Sequence, residues 1–429
     1  MKLESVEINN FRKLKSCTID FADDKTIFVG ANNSGKTSAI DALIYFLDSK
    51  NSNRYISFLD FTISNWDTVN QIGQDIIANN LIINEQEELE KWKNIVPYVD
   101  VCLNIESDEV HLVIDLIPHL NWNITDKLWV RLSFDPLSKQ GDSNIKELYD
   151  VFLKTYKNQP EVDSNYTLVE FLKQIKINTY FKIVPYKLIK SDTGDLIPCR
   201  LLDIDNPFEK ILKVSIIYAQ RGFTDLKENN EKGKLASQLH KYLNTKQDYT
   251  VNGHEKELLE LQQKIRKPID AHLSQQFEDP LKELATLGYP SFNDPTITIH
   301  SRVDIQDSVK HDSAVQFNVL KNHTLPEHYN GLGYQNLISI TFSLMMFRDA
   351  WINKSANKQE NLVERLHVVI IEEPEAHLHP QAQQIFINNA FSILTNLPAE
   401  YSAANFKTQM IVSTHSSYIT VKPPFSVPS

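Results

Sequence analysis

The octapeptide GANNSGKT at Gly30–Thr37 matches the pattern G-x-x-x-x-G-K-[ST], in which backbone geometry and residue type together bind phosphate. A glycine-rich turn between a strand and a helix directs backbone N–H groups at phosphate oxygens, and the helix N-terminus adds its positive dipole end. Lys36 is the candidate contact to the β and γ phosphates, and the Thr37 hydroxyl is a candidate Mg²⁺ ligand. The candidate nucleotide-binding residues of this segment are Gly30, Asn32, Asn33, Ser34, Gly35, Lys36, Thr37 and Ser38.

A second charged group stands at 368–381, which reads VVIIEEPEAHLHPQ. The aliphatic residues 368–371 predict a buried strand, and α/β sheets bind ligands at the carboxyl ends of their strands. On a strand that neighbours the one before Gly30, Glu372 is predicted to hold the Mg²⁺ shell and Glu373 to polarise an attacking water. Aspartate is more usual at the first of these positions, so the longer Glu372 side chain favours contact through water.

The same stretch allows a protein-ligated metal centre built from Glu375, His377 and His379. Its spacing matches neither H-E-x-x-H nor a zinc pattern with cysteines, which disfavours this alternative and leaves it open. A glycosidase-like carboxylate pair fails because it leaves the Gly30–Thr37 segment unexplained.

Two shorter motifs fall in the same part of the chain. The segment 329–336, YNGLGYQN, is either an ordinary helix N-terminus or a second phosphate-binding helix start. The segment 412–417, VSTHSS, places His415 at the end of a predicted strand. A lone histidine there is usually structural, but beside the other motifs it is predicted to contact the γ-phosphate and sense hydrolysis.

These motifs need an α/β framework to bring them together. Short β-type runs at 6–8, 17–21 and 26–29 come before the glycine-rich turn. The helix after it has one apolar face, formed by Ile40, Leu43, Ile44 and Leu47. Further strand-like segments fall at 98–105, 127–134, 179–189, 213–220, 295–305, 313–319, 366–372 and 408–413. The pattern predicts an α/β fold whose parallel strands come from the two ends of the chain.

The predicted division has an N-terminal half with a β lobe at 1–225, a helical insertion at 226–290 and a C-terminal half at 291–429. Apolar residues recur along one stripe of the insertion. The stripe fits either a helical pair packed on the domain or a projecting arm used for dimer contact.

Composition limits the protein classes. With 429 residues, of which 41% are hydrophobic, the chain is expected to be globular. Its net charge of −11 provides no overall electrostatic attraction to DNA or to an anionic membrane. Its three cysteines fit a reducing compartment. No signal peptide is visible, and no apolar run reaches the roughly 18 residues of a membrane span. A cytoplasmic protein without membrane contact is expected.

The four motifs GANNSGKT, GLG, IIEEPEAHLHP and STHS occur in an order that resembles the ABC-type ATPase heads of the RecF and chromosome-maintenance class. Within that class the chain looks most like the ATPase part of the OLD (overcoming lysogenisation defect) nucleases and their defence-system relatives. The opening VEINNFRKLKSCTIDF, FLDF at 58–61 and IIYAQR at 216–221 carry the same resemblance, which spans residues 1 to about 420. It implies a P-loop NTPase of the ABC or SMC-head type, split into two halves.

The resemblance also implies ligands and partners. Two heads would sandwich two ATP molecules with Mg²⁺, in a homodimer or higher homo-oligomer, and the arm at 226–290 would mediate dimerisation. Arg12 would lie near the nucleotide and Asp60 near the metal. The residues of one subunit that would face the nucleotide of the other are Gly331, Gly333 and Gln335.

The chain departs from that family in one respect. Many members continue after the THS segment into a Toprim nuclease domain, whereas 14 residues follow His415 here. Asp203 and Asp205 form a D-x-D, but a carboxylate pair without its partner glutamate does not hold two metals. This chain alone is therefore not expected to cut DNA.

The leading hypothesis is an ATPase whose nucleotide-driven dimerisation controls DNA engagement or a separate nuclease or effector protein, in phage defence or DNA repair. The alternative is a nucleotide-dependent scaffold with little or no hydrolysis. The motor of a membrane transporter is disfavoured by the NNFRKL start, the missing glutamine-type loop and the long middle insertion. FRKLK and KIRK are short basic clusters that could contact DNA, although such runs are usually solvated.

Overall fold

The fold is given by a computed structural model, which describes most of the chain. The described residues are 1–48, 55–79, 84–119, 122, 127–137, 142–157, 166–191, 193–202, 204, 206–218, 268, 270–286, 296–303, 311–320, 323–326, 331–356, 364–375, 378, 380–396 and 406–416. Most of the helical insertion predicted at 226–290, together with His377, His379 and Asp203, lies outside them.

The described strands follow the β-type runs of the sequence. In chain order they are β1 Lys2–Phe11, β2 Leu14–Asp20, β3 Lys25–Val29, β4 Tyr98–Asn104, β5 Leu128–Asp135, β6 Lys182–Lys190, β7 Leu196–Leu201, β8 Leu212–Tyr218, β9 Thr296–Val303, β10 His311–Leu320, β11 His323–Pro326, β12 Leu366–Glu372 and β13 Lys407–Thr414.

The described helices with defined bounds are α1 Lys36–Leu47, α2 Trp66–Asn79, α3 Glu85–Lys93, α4 Ile145–Lys157, α5 Leu168–Gln174, α6 Glu278–Thr286, α7 Leu332–Ala356 and α8 Pro380–Thr395. Short 3₁₀ turns occur at Phe58–Asp60, Ile63–Asn65, Val110–Leu112, Ile114–Leu116 and Ile177–Thr179. None of these described helices is long and apolar enough to cross a membrane.

A parallel sheet of four strands, in the order β3-β13-β12-β8, carries the site. Its central strands, β12 and β13, are buried along almost their whole length, as expected for strands covered on both faces. This confirms the α/β prediction that parallel strands come from the two ends of the chain, and it adds β8 from the middle.

The strand order corrects one expectation. The acidic strand β12 was predicted to neighbour β3, which delivers the glycine-rich turn, and this is wrong. Strand β13 lies between them, because Met410 pairs with Lys25 on one side while Ile370 pairs with Ile411 on the other. The end of β13, where His415 follows, is therefore central to this edge of the sheet.

Two antiparallel sheets complete the described strands. Six strands in the order β2-β1-β4-β5-β6-β7 form the predicted β lobe, and β11-β10-β9 form a small separate sheet. The β1–β2 connection is a tight hairpin in which Phe11 pairs with Leu14. This hairpin is the element that brings Arg12 and Lys13 toward the site.

Two buried clusters cover opposite faces of the parallel sheet. Along β12, Val368 and Ile370 belong to the cluster that includes α1 and the six-stranded sheet, whereas Val369 and Ile371 belong to the cluster formed with α7 and α8. This alternation is the two-residue period of a strand. The two buried clusters hold the strands in place and so position the residues at the strand ends.

The apolar helix face predicted after the glycine-rich turn is confirmed, because Ile40, Leu43, Ile44 and Leu47 on α1 are all buried. On α7, Leu337, Thr341 and Leu344 are buried at helical spacing. At the described end of the insertion, Leu273, Phe277 and Leu284 are buried in the cluster with α7 and α8. This end packs on the domain, and the boundary at 290 stays a prediction.

Candidate functional site

The glycine-rich turn begins where β3 ends and leads directly into α1. Gly35 is the helix N-cap with φ +96°, a left-handed conformation that glycine adopts without strain. A Cβ at Gly30 would lie 2.7 Å from the Ser34 hydroxyl oxygen, which is too close for any other residue to fit without a shift. The backbone conformation therefore favours glycine at position 35, and at position 30 a larger residue would displace the Ser34 hydroxyl.

The Lys36 ammonium is held over this turn. Its Nζ donates to the carbonyl oxygens of Gly30 at 2.6 Å and Ala31 at 2.9 Å. It also lies 3.3 Å from Nδ1 of His415. These contacts place one positive charge at the N-terminus of α1, where the helix dipole also favours an anion.

Glu373 follows β12 in a strained backbone conformation. Its φ is 47°, in the left-handed region that costs a non-glycine residue roughly 1–2 kcal/mol. Its N–H donates to the Ser413 carbonyl at 2.9 Å, so the strained residue is held against the carboxyl end of the neighbouring strand β13. Such strain persists where the surrounding structure enforces it, and it concentrates at functional positions.

The imidazole of His415 joins the two charged groups. Nε2 lies 2.8 Å from Oε1 of Glu373, and Nδ1 lies 3.0 Å from the Gly30 carbonyl oxygen as well as near Lys36. Because a carboxylate only accepts, Nε2–H is the donor toward Glu373. The motifs at Lys36, Glu373 and His415, spread over most of the chain, form one continuous set of contacts.

A cavity of about 270 Å³ opens at this edge of the sheet. The residues that line it are Lys13, Asn32, Asn33, Ser34, Gly35, Lys36, Thr37, Ser38, Glu373 and His415. The lining combines two lysines, three hydroxyl groups and the first turn of α1 with one carboxylate and one imidazole. Such a set suits a polyanionic ligand beside a group that can accept a proton.

A model of the AAA ATPase domain matches residues 1–420 of the chain. The chain belongs to the AAA ATPase domain family. Over 460 aligned residues it is 25% identical to Endonuclease GajA of Bacillus cereus (strain HuB5-5). The alignment covers 98% of this chain and 58% of GajA. A 60-residue match, 42% identical, links 14% of the chain to 16% of the DNA replication and repair protein RecF of Lactobacillus acidophilus (strain ATCC 700396 / NCK56 / N2 / NCFM). This confirms the resemblance predicted from the ordered motifs.

Solved structures show similarity at low identity. The SMC head domain from Thermotoga maritima aligns with a TM-score of 0.36, and the SmcHead bound to the C-winged helix domain of ScpA aligns with a TM-score of 0.40. Each is 12% identical, and each alignment covers 98% of this chain and 91% of the other. This AAA ATPase domain spans 58% of the length of GajA.

Arg12 and Asp60 meet each other beside the cavity of this AAA ATPase domain, rather than lining it. Arg12 Nε donates to Asp60 Oδ1 at 2.8 Å and Nη1 donates to Asp41 Oδ2 at 2.6 Å. The other Asp60 oxygen accepts from the N–H and hydroxyl of Ser57 at 2.8 and 3.0 Å. Both oxygens accept hydrogen bonds from protein groups, and a metal role for Asp60 stays a prediction.

The electrostatic balance at Arg12 favours a permanent cation. Burial works to lower the pKa of the guanidinium, and hydrogen bonds to Asp60 and Asp41 outweigh it and raise the pKa. Asp41 lies one helical turn beyond Thr37 on α1, so this ion pair anchors the β1–β2 hairpin to the helix that follows the glycine-rich turn.

The remaining predicted residues are placed near element ends. Glu372 is the half-buried last residue of β12, outside the cavity lining. Gly331 is exposed immediately before α7, Gly333 lies in its first turn and Gln335 is buried. Their predicted contact with the nucleotide of a second subunit is untested by a single chain.

The sequence did not identify Lys13 as a residue of the site, and it suggested Glu375 only as a ligand of the alternative metal centre. Lys13 lines the cavity, and its ammonium donates to Asn33 Oδ1, although its only sequence signal was the FRKLK cluster read as a solvated face. Glu375 Oε1 accepts from the His415 backbone N–H at 2.5 Å, a contact between residues 40 positions apart. Among the described residues, no group of three or more His, Cys, Asp or Glu side chains is placed to hold a metal alone.

Proposed function

We propose that this domain binds ATP with Mg²⁺ and hydrolyses it to ADP and phosphate in the cavity above α1. One observation carries the proposal. The His415 imidazole lies between a cation and a carboxylate beside the glycine-rich turn. Its Nδ1 is 3.3 Å from Lys36 Nζ, and its Nε2 is 2.8 Å from Glu373 Oε1. Phosphoryl transfer to water needs a cation at the phosphates and a positioned acceptor for the water proton, and this set supplies both.

The oxygen donors at the site fit Mg²⁺. Thr37 offers a hydroxyl in the first turn of α1, and Glu372 offers a carboxylate at the carboxyl end of β12. Hydroxyl, carboxylate and water oxygens are the ligands that Mg²⁺ prefers, with phosphate oxygens completing the shell. When bound, the ion would neutralise phosphate charge.

Each residue then has a defined role. Glu373 accepts a proton as the water oxygen bonds to the γ-phosphorus and the bond to the β–γ bridging oxygen breaks. Lys36 offsets the negative charge that the departing oxygen and the γ-phosphate carry. His415 orients the Glu373 carboxylate through its Nε2–H.

Nucleotide binding is proposed to bring two such domains together. Gly331 is exposed at the start of α7, where a helix N-terminus without a side chain can approach a phosphate closely. The names of the relatives, an endonuclease and a DNA replication and repair protein, support an output that controls DNA engagement or a separate nuclease or effector. Phage defence and DNA repair are the processes proposed.

The first experiment is the rate of phosphate release from ATP by the purified chain. The Lys36→Ala variant is expected to lower kcat/KM by at least about 10²-fold, since it removes the charge that binds and stabilises the transferred group. Lys91→Ala, which removes an exposed lysine of α3, is the matched control and should leave the rate unchanged. Tight ATP binding without release of phosphate would instead favour a nucleotide-dependent scaffold.

A second experiment addresses dimerisation. The molar mass in solution of the Glu373→Gln variant should double on addition of ATP and Mg²⁺, because ATP that is not hydrolysed keeps two domains joined. Gly331→Arg should abolish this doubling while Gly331→Ala preserves it, since a Cβ at Gly331 meets no atom closer than 4.0 Å in the folded chain. An unchanged mass with bound ATP contradicts the sandwich.

A further inference from the structure

Glu375 connects the loop after β12 to the main chain after β13. Its Oε1 accepts the hydrogen bond of the His415 backbone N–H at 2.5 Å. Glu372 and Ser413 are the last paired residues of these neighbouring strands, so both partners of the bond lie just beyond the sheet edge. The bond fixes the position of the His415 main chain relative to the loop that carries Glu373.

A buried glutamine makes a second connection between the same two segments. Gln383 on α8 donates by Nε2 to the Leu378 carbonyl at 2.8 Å and accepts by Oε1 from the Ser416 hydroxyl at 2.6 Å. The residue that follows His415 and a residue three positions after Glu375 are thus held to one buried side chain. The segment around His415 cannot move independently of the loop after β12 without breaking one of these bonds.

The His415 ring needs this restraint because its contacts converge. Nε2 meets Glu373 at 2.8 Å, and Nδ1 meets the Gly30 carbonyl at 3.0 Å and Lys36 at 3.3 Å. Hydrogen bonds weaken steeply outside a narrow range of distance and angle. A displacement of the backbone by about 1 Å would lengthen at least one of these contacts beyond hydrogen-bond range.

Stability alone does not account for a carboxylate at this position. The second oxygen of Glu375, Oε2, is buried and has no hydrogen-bond partner among the described residues. An unpaired buried carboxylate oxygen costs folding free energy. The fold alone therefore gains little from a glutamate at this position. The structure uses its carboxylate as the hydrogen-bond acceptor of the His415 N–H.

We propose that Glu375 is a positioning residue, which holds the His415 main chain so that the ring orients the Glu373 carboxylate. The proposal rests on the hydrolytic site proposed above. Glu375 is not itself part of the cavity lining and acts on the site only through His415, which is. Its amide counterpart glutamine keeps an acceptor oxygen and can replace it, whereas alanine cannot.

The first test reads the position of His415 without any hydrolysis. In the full chain labelled with ¹⁵N-histidine, the backbone amide signals of the 13 histidines are recorded, and the signal of His415 is identified by its loss in His415→Ala. Glu375→Ala should move the His415 signal upfield in proton shift, because its N–H loses a charged acceptor. Glu375→Gln should move it less. An unmoved signal in Glu375→Ala overturns the proposal.

The second test separates positioning from folding. Glu375→Ala should lower kcat for ATP at least tenfold with KM changed less than threefold, and Glu375→Gln should restore kcat to within about threefold of the native chain. Glu109→Ala is the matched control, because Glu109 also accepts from a backbone N–H but lies between β4 and β5. It should lower thermal stability and leave kcat unchanged.

A double-mutant cycle identifies the route of action. In the His415→Ala background, the further change Glu375→Ala should lower kcat less than twofold, because the group that Glu375 positions is already gone. A full tenfold additional loss overturns action through His415. Absence of hydrolysis by the native chain would contradict the proposed function, and the amide signal would still decide whether Glu375 positions His415.

Discussion

The Nε2 atom of His415 lies 2.8 Å from the Oε1 atom of Glu373, and this contact joins residues that follow two adjacent parallel strands. It exists because β13 lies between β3 and β12, with Ile411 paired both to Thr26 and to Ile370. His415 is therefore within reach of the glycine-rich turn on one side and of the acidic loop on the other. The ring is the link between the phosphate-binding and proton-accepting halves of the site.

Loss of that ring should slow hydrolysis more than it weakens binding. His415→Ala is expected to lower kcat by about 10²-fold, because the proton acceptor Glu373 loses the group that orients it and proton transfer to a positioned base contributes about this much. The dissociation constant for ATP should change less than about threefold, since Lys36 and the glycine-rich turn remain. Phosphate release and binding of a fluorescent ATP analogue measure the two quantities.

His111→Ala supplies the control for that substitution. His111 is exposed in a 3₁₀ turn between β4 and β5, away from the cavity lining. It should leave kcat and ATP affinity as they are. A kcat within twofold of the native chain for His415→Ala would remove His415 from the proposed mechanism.

Lys13 should contribute to nucleotide affinity through charge. Its exposed ammonium lines the cavity beside Asn33, so Lys13→Ala is expected to weaken ATP binding by about fivefold, equivalent to roughly 1 kcal/mol for an exposed ionic contact. The difference should shrink at high salt because exposed charges are screened. Titration of ATP at two salt concentrations measures both effects.

Lys15→Ala is the matched change, because Lys15 is exposed on β2 two residues away and does not line the cavity. Its ATP affinity should equal that of the native chain. Equal weakening by both substitutions would show that only net charge matters and would remove Lys13 from the site.

Much of the site could be predicted from local sequence. The strand at 26–29, the turn from Gly30 and the apolar face of α1 are encoded within about 20 residues, where periodicity and glycine placement are informative. The acidic ends of β12 and the His415 segment were found in the same way. Their convergence in one cavity follows from the rule that ligands bind at the carboxyl ends of parallel strands.

The remaining features depend on pairing between distant segments. No local pattern distinguishes β12 from β13 as the neighbour of β3, because each has an apolar centre and is buried along almost its whole length. The bond from Glu375 to His415 and the left-handed φ of Glu373 appear only once these strands are in register. Lys13 was misread because exposure of a lysine in sequence does not reveal which cavity it borders.

The buried His367 predicts a pH dependence of folding. It lies in β12, with Nε2 2.9 Å from the Ser215 hydroxyl and its ring against Trp351, and burial lowers its pKa to about 3. The unfolded ring titrates near 6.5, so between these values only the unfolded chain binds the proton. The free energy of unfolding should therefore fall as pH decreases below about 6.5, by about 1.4 kcal/mol per pH unit.

Urea unfolding between pH 4.5 and 7.5 measures this slope. His367→Gln should flatten it by about 1.4 kcal/mol per pH unit, because glutamine does not titrate. His111→Gln, at an exposed position, should leave it unchanged. Equal slopes for the native chain and His367→Gln would show that the buried ring does not govern the acid limb.

The most direct test of ATP hydrolysis at this site compares binding and turnover in Glu373→Gln. The substitution keeps the size of the side chain and removes its ability to accept the water proton. ATP affinity should stay within about threefold of the native chain while phosphate release in a single turnover slows by at least about 10²-fold. Unchanged phosphate release with intact ATP binding would contradict the assignment of Glu373 as the proton acceptor, and with it the proposed mechanism.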